Sequence, residues 1–337
     1  RQGGAVIYMP VSIEGTPGLE GYPDADERVR QMALNWQLLP GGGWDEVFRA
    51  DRLEPDFEGE GLHWIHRRYG DLDIYFVANP AQKKQRRKCL FRIEGKSPAL
   101  WNPETGKVHA LEHVEETGGR IALELHFEPA QSWFVVFADK HSSLPREPDP
   151  ANTAWEAAGE VQGSWEVDFD PHFGGPAETQ VFDGLWDWSQ QADSCVRYYS
   201  GTATYHTSFQ AEASRLPTHL DLGEVKVVAR VRLNGEECGI AWKPPYRVDI
   251  SHAVRAGDNK LEVDVANTWV NRMIGDEQLP LDASWKNWET LEGWPDWFLE
   301  GQPSTSGRYT FTTARHYDRE SPLHSSGLLG PVRMLKR

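Results

Sequence analysis

Residues 221–279 read DLGEVKVVARVRLNGEECGIAWKPPYRVDISHAVRAGDNKLEVDVANTWVNRMIGDEQL, and they decide the fold class. Three apolar-alternating runs, 225–233, 246–250 and 260–266, are separated by Asn234-Gly235, Pro244-Pro245 and Gly257-Asp258-Asn259. A period of two puts alternate side chains on opposite faces of a pleated strand, and Asn-Gly readily supplies the positive φ of a tight reversal. The stretch therefore predicts antiparallel sheet with one buried face.

Outward from this sheet, residues 159–337 read as one β unit. The run 164–169 places Trp165, Val167 and Phe169 on one face, and 182–188 and 198–209 follow as strands. Runs 308–313 and 332–335 close the sheet, whereas 282–301 has no period and reads as a long insertion or loop. Strands interleaved with long loops fit a jelly-roll sandwich. Upstream, 62–69 and 72–77 flank Gly70-Asp71, and 89–93, 108–111, 121–127 and 132–138 follow at short spacing. That pattern predicts a small antiparallel β-sandwich over 56–140. Residues 141–158, rich in Pro, Ser and Asp, have linker composition.

The N-terminal stretch differs. Residues 5–9 read as a buried strand after Gly3-Gly4, and 24–39 as an amphipathic helix capped by Asp24 with Glu27 three residues on. Pro40 and the triplet Gly41-Gly42-Gly43 end that helix; the triplet lacks the Lys-Ser/Thr of a phosphate loop. One strand and one helix cannot make a domain alone. Residues 1–55 are therefore expected to be the tail of a truncated α/β domain. The fold class is mainly β, with two β-sandwich domains after a short α/β remnant.

Composition narrows the function. With 51 acidic against 35 basic residues the chain carries a formal charge of −16, which disfavours a nucleic-acid backbone as partner. The basic cluster Lys83-Lys84-Gln85-Arg86-Arg87-Lys88 reads as a solvated loop between two strands. No apolar run reaches the roughly 18–20 residues of a membrane span. Cys89, Cys195 and Cys238 are too far apart for a Cys-x-x-Cys metal knuckle, and an odd number gives no readable disulfide framework. His63 and His66 fall on opposite faces of a strand and do not form a joint metal site.

Fifteen tryptophans are the compositional signal, ten of them from Trp155 onward. Indole rings pack sandwich cores, but they also stack on the C–H faces of sugars, and an acidic chain suits sugar better than nucleic acid. The insertion gathers Trp285, Trp288, Trp294 and Trp297 beside Asp282, Glu289 and Asp296. Exposed rings there would make a carbohydrate platform; buried rings would pack the loop down. A second group, Asn267, Trp269, Asn271, Arg272 and Asp276, follows a strand end. Its readings are a loop site or a hydrogen-bonded corner in which Arg272 pairs with Asp276. No carboxylate pair stands out as acid and base among so many acids. Nor is there a nucleophile-elbow pattern.

Several motifs together resemble known enzymes. Asp221-Leu222-Gly223, Val231-Arg232-Leu233-Asn234-Gly235, Gly239-Ile240-Ala241-Trp242, Pro245-Tyr246 and Val265-Ala266-Asn267-Thr268-Trp269 are similar to the sugar-binding, galactose-binding-like jelly roll of family 2-type glycoside hydrolases. More narrowly, Asn271-Arg272-Met273-Ile274-Gly275-Asp276, Ser200-Gly201-Thr202-Ala203-Thr204-Tyr205 and Ser326–Val332 resemble the C-terminal part of the α-L-rhamnosidase-like enzymes of glycoside hydrolase family 106. So do Ile65-His66-Arg67, the run 73–79 and Leu100-Trp101-Asn102-Pro103-Glu104-Thr105-Gly106.

The resemblance implies a C-terminal accessory part of a polysaccharide-degrading hydrolase. Its chemistry would sit on an upstream catalytic barrel of the same polypeptide, outside this chain, so that no catalytic residue is assigned here. The implied partner is a carbohydrate, by this resemblance a rhamnose-containing glycan. A structural Ca2+ could accompany a jelly roll of this type, its ligands unassigned. A bacterial parent would be periplasmic or secreted. The alternatives are a free-standing carbohydrate-binding module and a purely structural β-sandwich.

Overall fold

The computed structural model describes residues 24–34, 55–109, 111, 114–139, 155–287 and 290–336. The expected strand 5–9, the glycine triplet and residues 141–154 of the expected linker lie outside them. Among the described residues the chain is mainly β, in antiparallel sheets of the β-sandwich kind. It divides into two compact units, one of residues 1–59, 89–94 and 115–122, the other of 60–88, 95–114 and 123–337.

In the first unit, a helix covers Asp24–Leu34, with Asp24, Asp26 and Glu27 in its first turn, where carboxylates favour the helix dipole. Residues 35–39 of the expected helix lie outside the described residues. Strand Phe57–Glu58 pairs with the end of strand Gln85–Phe91, bringing the rings of Phe57 and Phe91 edge to face at 5.0 Å. Arg120 donates to the Pro55 carbonyl at 2.8 Å and pairs with Glu58.

The second unit contains a five-stranded antiparallel sheet in the order His63–Tyr69, Leu72–Ala78, Ser132–Ala138, Ser97–Trp101, Val108–His109. The Gly70-Asp71 reversal is present, with Gly70 at φ 56°. Tyr75, Val77, Trp133 and Val135 are buried along the inner strands. Buried Asp73 is the polar exception: Lys96 reaches it at 2.9 Å, His66 at 3.0 Å and Arg68 at 3.1 Å, which compensates the desolvated carboxylate.

The basic cluster is not the solvated loop expected from its charge. Gln85–Phe91 is a strand that begins inside it. The cations are tolerated because they meet carboxylates across the sheet: Lys84 bonds Glu128 at 2.9 Å, and Arg86 pairs with Glu124. Such cross-strand pairs replace repulsion along the run with attraction between strands.

The jelly roll occupies the rest of the second unit. Its six-stranded sheet runs Gln180–Phe182, Trp165–Phe169, Thr202–Ala211, Gly257–Ala266, Val228–Leu233, Glu236–Ala241. A four-stranded sheet runs Glu156–Glu160, Arg333–Lys336, His219–Asp221, Arg247–Asp249, and Glu224–Lys226 pairs with Gly327–Gly330. Alternate residues Trp165, Val167, Ala203, Tyr205, Val231, Val263 and Val265 meet Leu220, Leu222, Val248, Leu328 and Val332 in one core. At its centre Trp188 donates its indole N–H to the Tyr205 hydroxyl at 2.6 Å, and the Leu328 amide donates to the same oxygen at 3.1 Å. On the outer face Arg232 holds Glu262 and Asp264 at 3.1 and 2.6 Å.

Three expected strands differ. The run 225–233 is two strands of different sheets, Glu224–Lys226 and Val228–Leu233. The run 182–188 ends as strand at Phe182, and Asp187 then caps a 3-10 turn, Trp188–Gln190, by accepting from the Ser189 amide. The run 308–313 is no strand at all. The amides of Tyr309 and Thr310 donate to the buried Asp276 carboxylate, so they are unavailable to a ladder.

Candidate functional site

The insertion between helix Val270–Asp276 and strand Gly327–Gly330 is fastened at its neck by side chains bonding backbone. Asn271 donates to the His324 carbonyl at 2.7 Å and accepts from the His324 amide at 2.8 Å. Asn267 donates to the Tyr199 carbonyl at 2.9 Å and accepts from the Gly201 amide at 3.0 Å; both asparagines also donate to Ser326 Oγ at 3.1 Å. Ser200 Oγ accepts the Arg272 amide at 3.0 Å, so one short polar strip ties three chain segments.

One turn further along helix Val270–Asp276, Arg272 Nε donates to Asp276 Oδ1 at 3.0 Å, with both side chains buried. The other carboxylate oxygen accepts the amides of Tyr309 and Thr310 at 2.9 and 2.7 Å and the Thr310 hydroxyl at 2.8 Å. The guanidinium also lies 5.1 Å from the centre of the Tyr309 ring. Gly174 and Gly275 pack where a Cβ would meet Tyr309, Arg272 or Tyr198 at 3.1 Å or less. Trp269 stays 47% exposed, its ring edge-on to Phe173 at 5.6 Å. Next to the corner, Glu277 is held by Arg308 at 3.0 Å and by Arg315, and Arg308 Nε donates to the Pro280 carbonyl at 2.9 Å. A carboxylate held by one buried and one partly buried guanidinium fixes the root of the insertion more firmly than a surface pair would.

Above this root the insertion folds back on itself. A two-residue ladder, Trp285–Lys286 with Thr290–Leu291, is followed by a helical turn, Asp296–Leu299, entered through Pro295. Proline before a first helical residue suits a chain entering a turn, because its fixed φ costs no further freedom. Trp297 donates its indole N–H to the Asp282 carbonyl at 3.0 Å, and Ser304 Oγ donates to the Asp282 carboxylate. Trp297, Phe298 and Phe311 form an aromatic base with ring centres 4.5–5.9 Å apart. Trp294 stacks on Phe298 at 5.3 Å with planes 22° apart, yet 52% of it is exposed.

These contacts shape an open cleft of about 600 Å³ whose lining includes Asp282, Ser284, Glu292, Trp294, Asp296, Trp297 and Thr305. Of the residues expected from sequence, Trp294, Trp297, Asp282 and Asp296 are thus brought together. Trp285 lines an adjoining cavity of about 20 Å³ that shares only Asp282 with the cleft; the Arg315 guanidinium sits 6.0 Å from its ring. Trp288 and Glu289 lie outside the described residues. Glu292, Ser284 and Thr305 were not anticipated. Glu292 sits three residues from an expected acid, but Thr305 joins only through the fold-back, which no periodicity announces.

Chemically, the cleft offers an indole half open to solvent, three carboxylates and two hydroxyls. Carboxylates and hydroxyls accept and exchange hydrogen bonds with a polyol, and the indole presents an apolar face. Among the described residues no group of three or more His, Cys, Asp or Glu side chains is gathered in a metal-binding arrangement. No helix among the described residues is long and apolar enough to cross a membrane.

Comparison with known proteins gives two family matches on different parts of the chain. Residues 25–115 match the family model for alpha-L-rhamnosidase, and residues 182–307 match that for the glycosyl hydrolase 2 galactose-binding domain-like family. The structure of a rhamnosidase from Novosphingobium sp. PP1Y superposes with a TM-score of 0.67 at 34% identity, over 86% of this chain and 26% of that one. A protein of Formosa agariphila, provisionally named a beta-glucuronidase, is 44% identical over 178 residues, 52% of this chain. The chain spans 15% of that relative's length. The chain is thus similar to parts of glycoside hydrolases, to an alpha-L-rhamnosidase model in its first third and to a galactose-binding-like model further on, and it spans about a quarter of the rhamnosidase structure it matches.

Proposed function

We propose that the chain serves a polysaccharide-degrading hydrolase of α-L-rhamnosidase type as its carbohydrate-contacting accessory portion. In this reading residues 1–55 are the tail of an α/β domain. Residues 56–140 form a small sandwich and 159–337 the jelly roll, and the last residues of the expected linker 141–158 enter the jelly roll's four-stranded sheet in strand Glu156–Glu160. The glycosidic bond is cut on a catalytic barrel of the same polypeptide outside this chain, and the glycan contains rhamnose. The insertion cleft is the sugar contact, with Trp294 and Trp297 as platform and Asp282 and its neighbouring acids taking hydroxyls; Trp285, Trp288 and Glu289 belong to the same insertion.

The observation that carries this reading is the company Trp294 keeps. One face of the ring is taken by Phe298, half of its surface is open, and Glu292 and Asp296 stand in the same wall. A ring that merely packed the loop down would be covered. The corner from Asn267 to Asp276 serves the cleft indirectly, by holding its root.

The test is a titration of rhamnose-containing oligosaccharides against this chain, followed by tryptophan fluorescence, with Trp294→Ala beside it. Saturable change in the millimolar range that Trp294→Ala abolishes supports the platform. A response unaltered by Trp294→Ala would remove the sugar from this cleft, and no response at all would favour a purely structural sandwich.

A further inference from the structure

The insertion cleft has a neighbour. A second open cleft, of about 490 Å³, adjoins it: Trp297 lines both, and the consecutive residues Ser304 and Thr305 line one each. The first cleft is built from the insertion alone. The second reaches the body of the jelly roll, because His172 of the 3-10 turn Pro171–Phe173 forms part of its wall. Each cleft by itself falls within the roughly 300–1,000 Å³ that holds a small ligand. Two of them, separated by one indole, are more than a single sugar ring fills.

The second cleft repeats the arrangement of the first. Trp294 is backed on one face by Phe298 and left half open. Tyr309 is likewise backed by the Arg272 guanidinium, 5.1 Å from its ring centre, and is 50% exposed. A ring held on one side and bare on the other is a platform that binding need not order further. Beside it, Asp170 accepts both the amide and Nδ1 of His172 at 2.9 Å. That fixes the imidazole and leaves Nε2, on a side chain 92% exposed, for a sugar hydroxyl. Gln302, also exposed, stands in the same wall.

The two clefts agree on charge as well. The described residues of the first wall include Asp282, Glu292 and Asp296 but no Lys, Arg or His. In the second, Arg308 is taken up by Glu277 and by the carbonyls of Leu279 and Pro280, and His172 by Asp170. A carboxylated or sulfated sugar is therefore repelled at Trp294 and meets no uncommitted guanidinium at Tyr309.

We propose, resting on the sugar contact assigned to the first cleft, that the two clefts are one extended site for a run of two or more uncharged sugar residues. One residue lies on Trp294 and another on Tyr309, with Trp297 as the rib between them.

The test titrates α-L-rhamno-oligosaccharides of one to four residues against the whole chain by ligand-observed NMR at millimolar concentration. A rhamnogalacturonan tetrasaccharide is the anionic probe. Affinity should rise about tenfold from the mono- to the tetrasaccharide, and the anionic probe should bind more weakly than the neutral one of equal length. Tyr309→Ala should cut the gain with length to within about twofold. His172→Ala, whose exposed side chain adds nothing to the core, should lower that gain about threefold. Affinity that does not grow with length, or a gain unaltered in both variants, overturns the extension; the Trp294 platform then stands or falls on Trp294→Ala alone. Where Tyr309→Ala fails to fold, an unaltered gain in His172→Ala is enough to overturn it. Tighter binding of the anionic probe does the same. Binding that is absent in the wild type, or unchanged for every probe in Trp294→Ala, removes the platform and the extension with it.

Discussion

Replacing Asp276 by Asn is the most informative single perturbation of the corner. The two side chains have nearly the same shape, so the change isolates hydrogen bonding from packing. Asp276 accepts four bonds: one from Arg272 on Oδ1, and on Oδ2 two backbone amides and the Thr310 hydroxyl. In the Asp276→Asn variant one of the two oxygens becomes an NH2. If that group faces Tyr309 and Thr310, two amides lose their acceptor; if it faces Arg272, a buried guanidinium loses its only carboxylate on this helix. The Thr310 hydroxyl can turn and accept, so that bond is recoverable. Unpaired buried amides cost about 1–3 kcal/mol each and a broken buried ion pair about 3–5 kcal/mol. Either orientation therefore costs about 4 kcal/mol. For a cooperative unit of jelly-roll size that lowers Tm by about 10 °C. Differential scanning calorimetry measures it, and hydrogen-exchange mass spectrometry over residues 305–313 separates global loss from detachment of the insertion alone. The reasoning fails if Tm stays within about 1 °C of wild type and the exchange of these amides is unchanged.

Three further outcomes are expected. At Asp264, burial raises the carboxyl pKa, but the hydrogen bonds of Arg232 and then Thr204 outweigh it and carry the group below the ordinary range. The stability this contributes is complete above the unfolded value near 3.9 and is lost as pH falls through the folded one. The Tm gap between wild type and Arg232→Gln should thus close on acidification below about pH 4; a constant gap would refute the assignment. Tyr205→Phe strips the Trp188 indole and the Leu328 amide of their shared acceptor, at a cost of about 2–4 kcal/mol in chemical denaturation, and a loss under about 1 kcal/mol would contradict it. Gly223→Ala should destabilise far more than Gly235→Ala. Both glycines have positive φ, but a Cβ on Gly223 would lie 2.3 Å from the Gly330 backbone while one on Gly235 meets open space. Equal melting temperatures of the two variants would be inconsistent with that packing.

The sheet was legible in the sequence wherever one face is buried. Trp165, Val167 and Phe169, or Val263 and Val265, announce their strands because alternation is a local property. What escaped reading is non-local. Residues 308–313 alternate well enough for a strand, yet the decisive partner of Tyr309 and Thr310 is a carboxylate 33 and 34 positions upstream. The basic cluster misled in the opposite sense, since the acids that neutralise Lys84 and Arg86 arrive from a strand about forty residues on and from the residue just past its end. At the candidate site, tryptophan density pointed to the insertion in which the open cleft lies. It could not separate Trp294, half open, from Trp285, walled in beside Arg315.

The neck formed by Asn271 and His324 has an engineering consequence. It closes a loop spanning 53 positions with two hydrogen bonds that leave the sheet untouched. Once the ends of a loop are pinned, its length matters little: doubling it adds only about 0.6 kcal/mol. The segment between Asp282 and Ser304 is therefore a natural cassette. Sequences of other lengths and other recognition chemistry can be spliced there, provided that Arg308, Tyr309, Thr310 and Arg315 remain to lock the root.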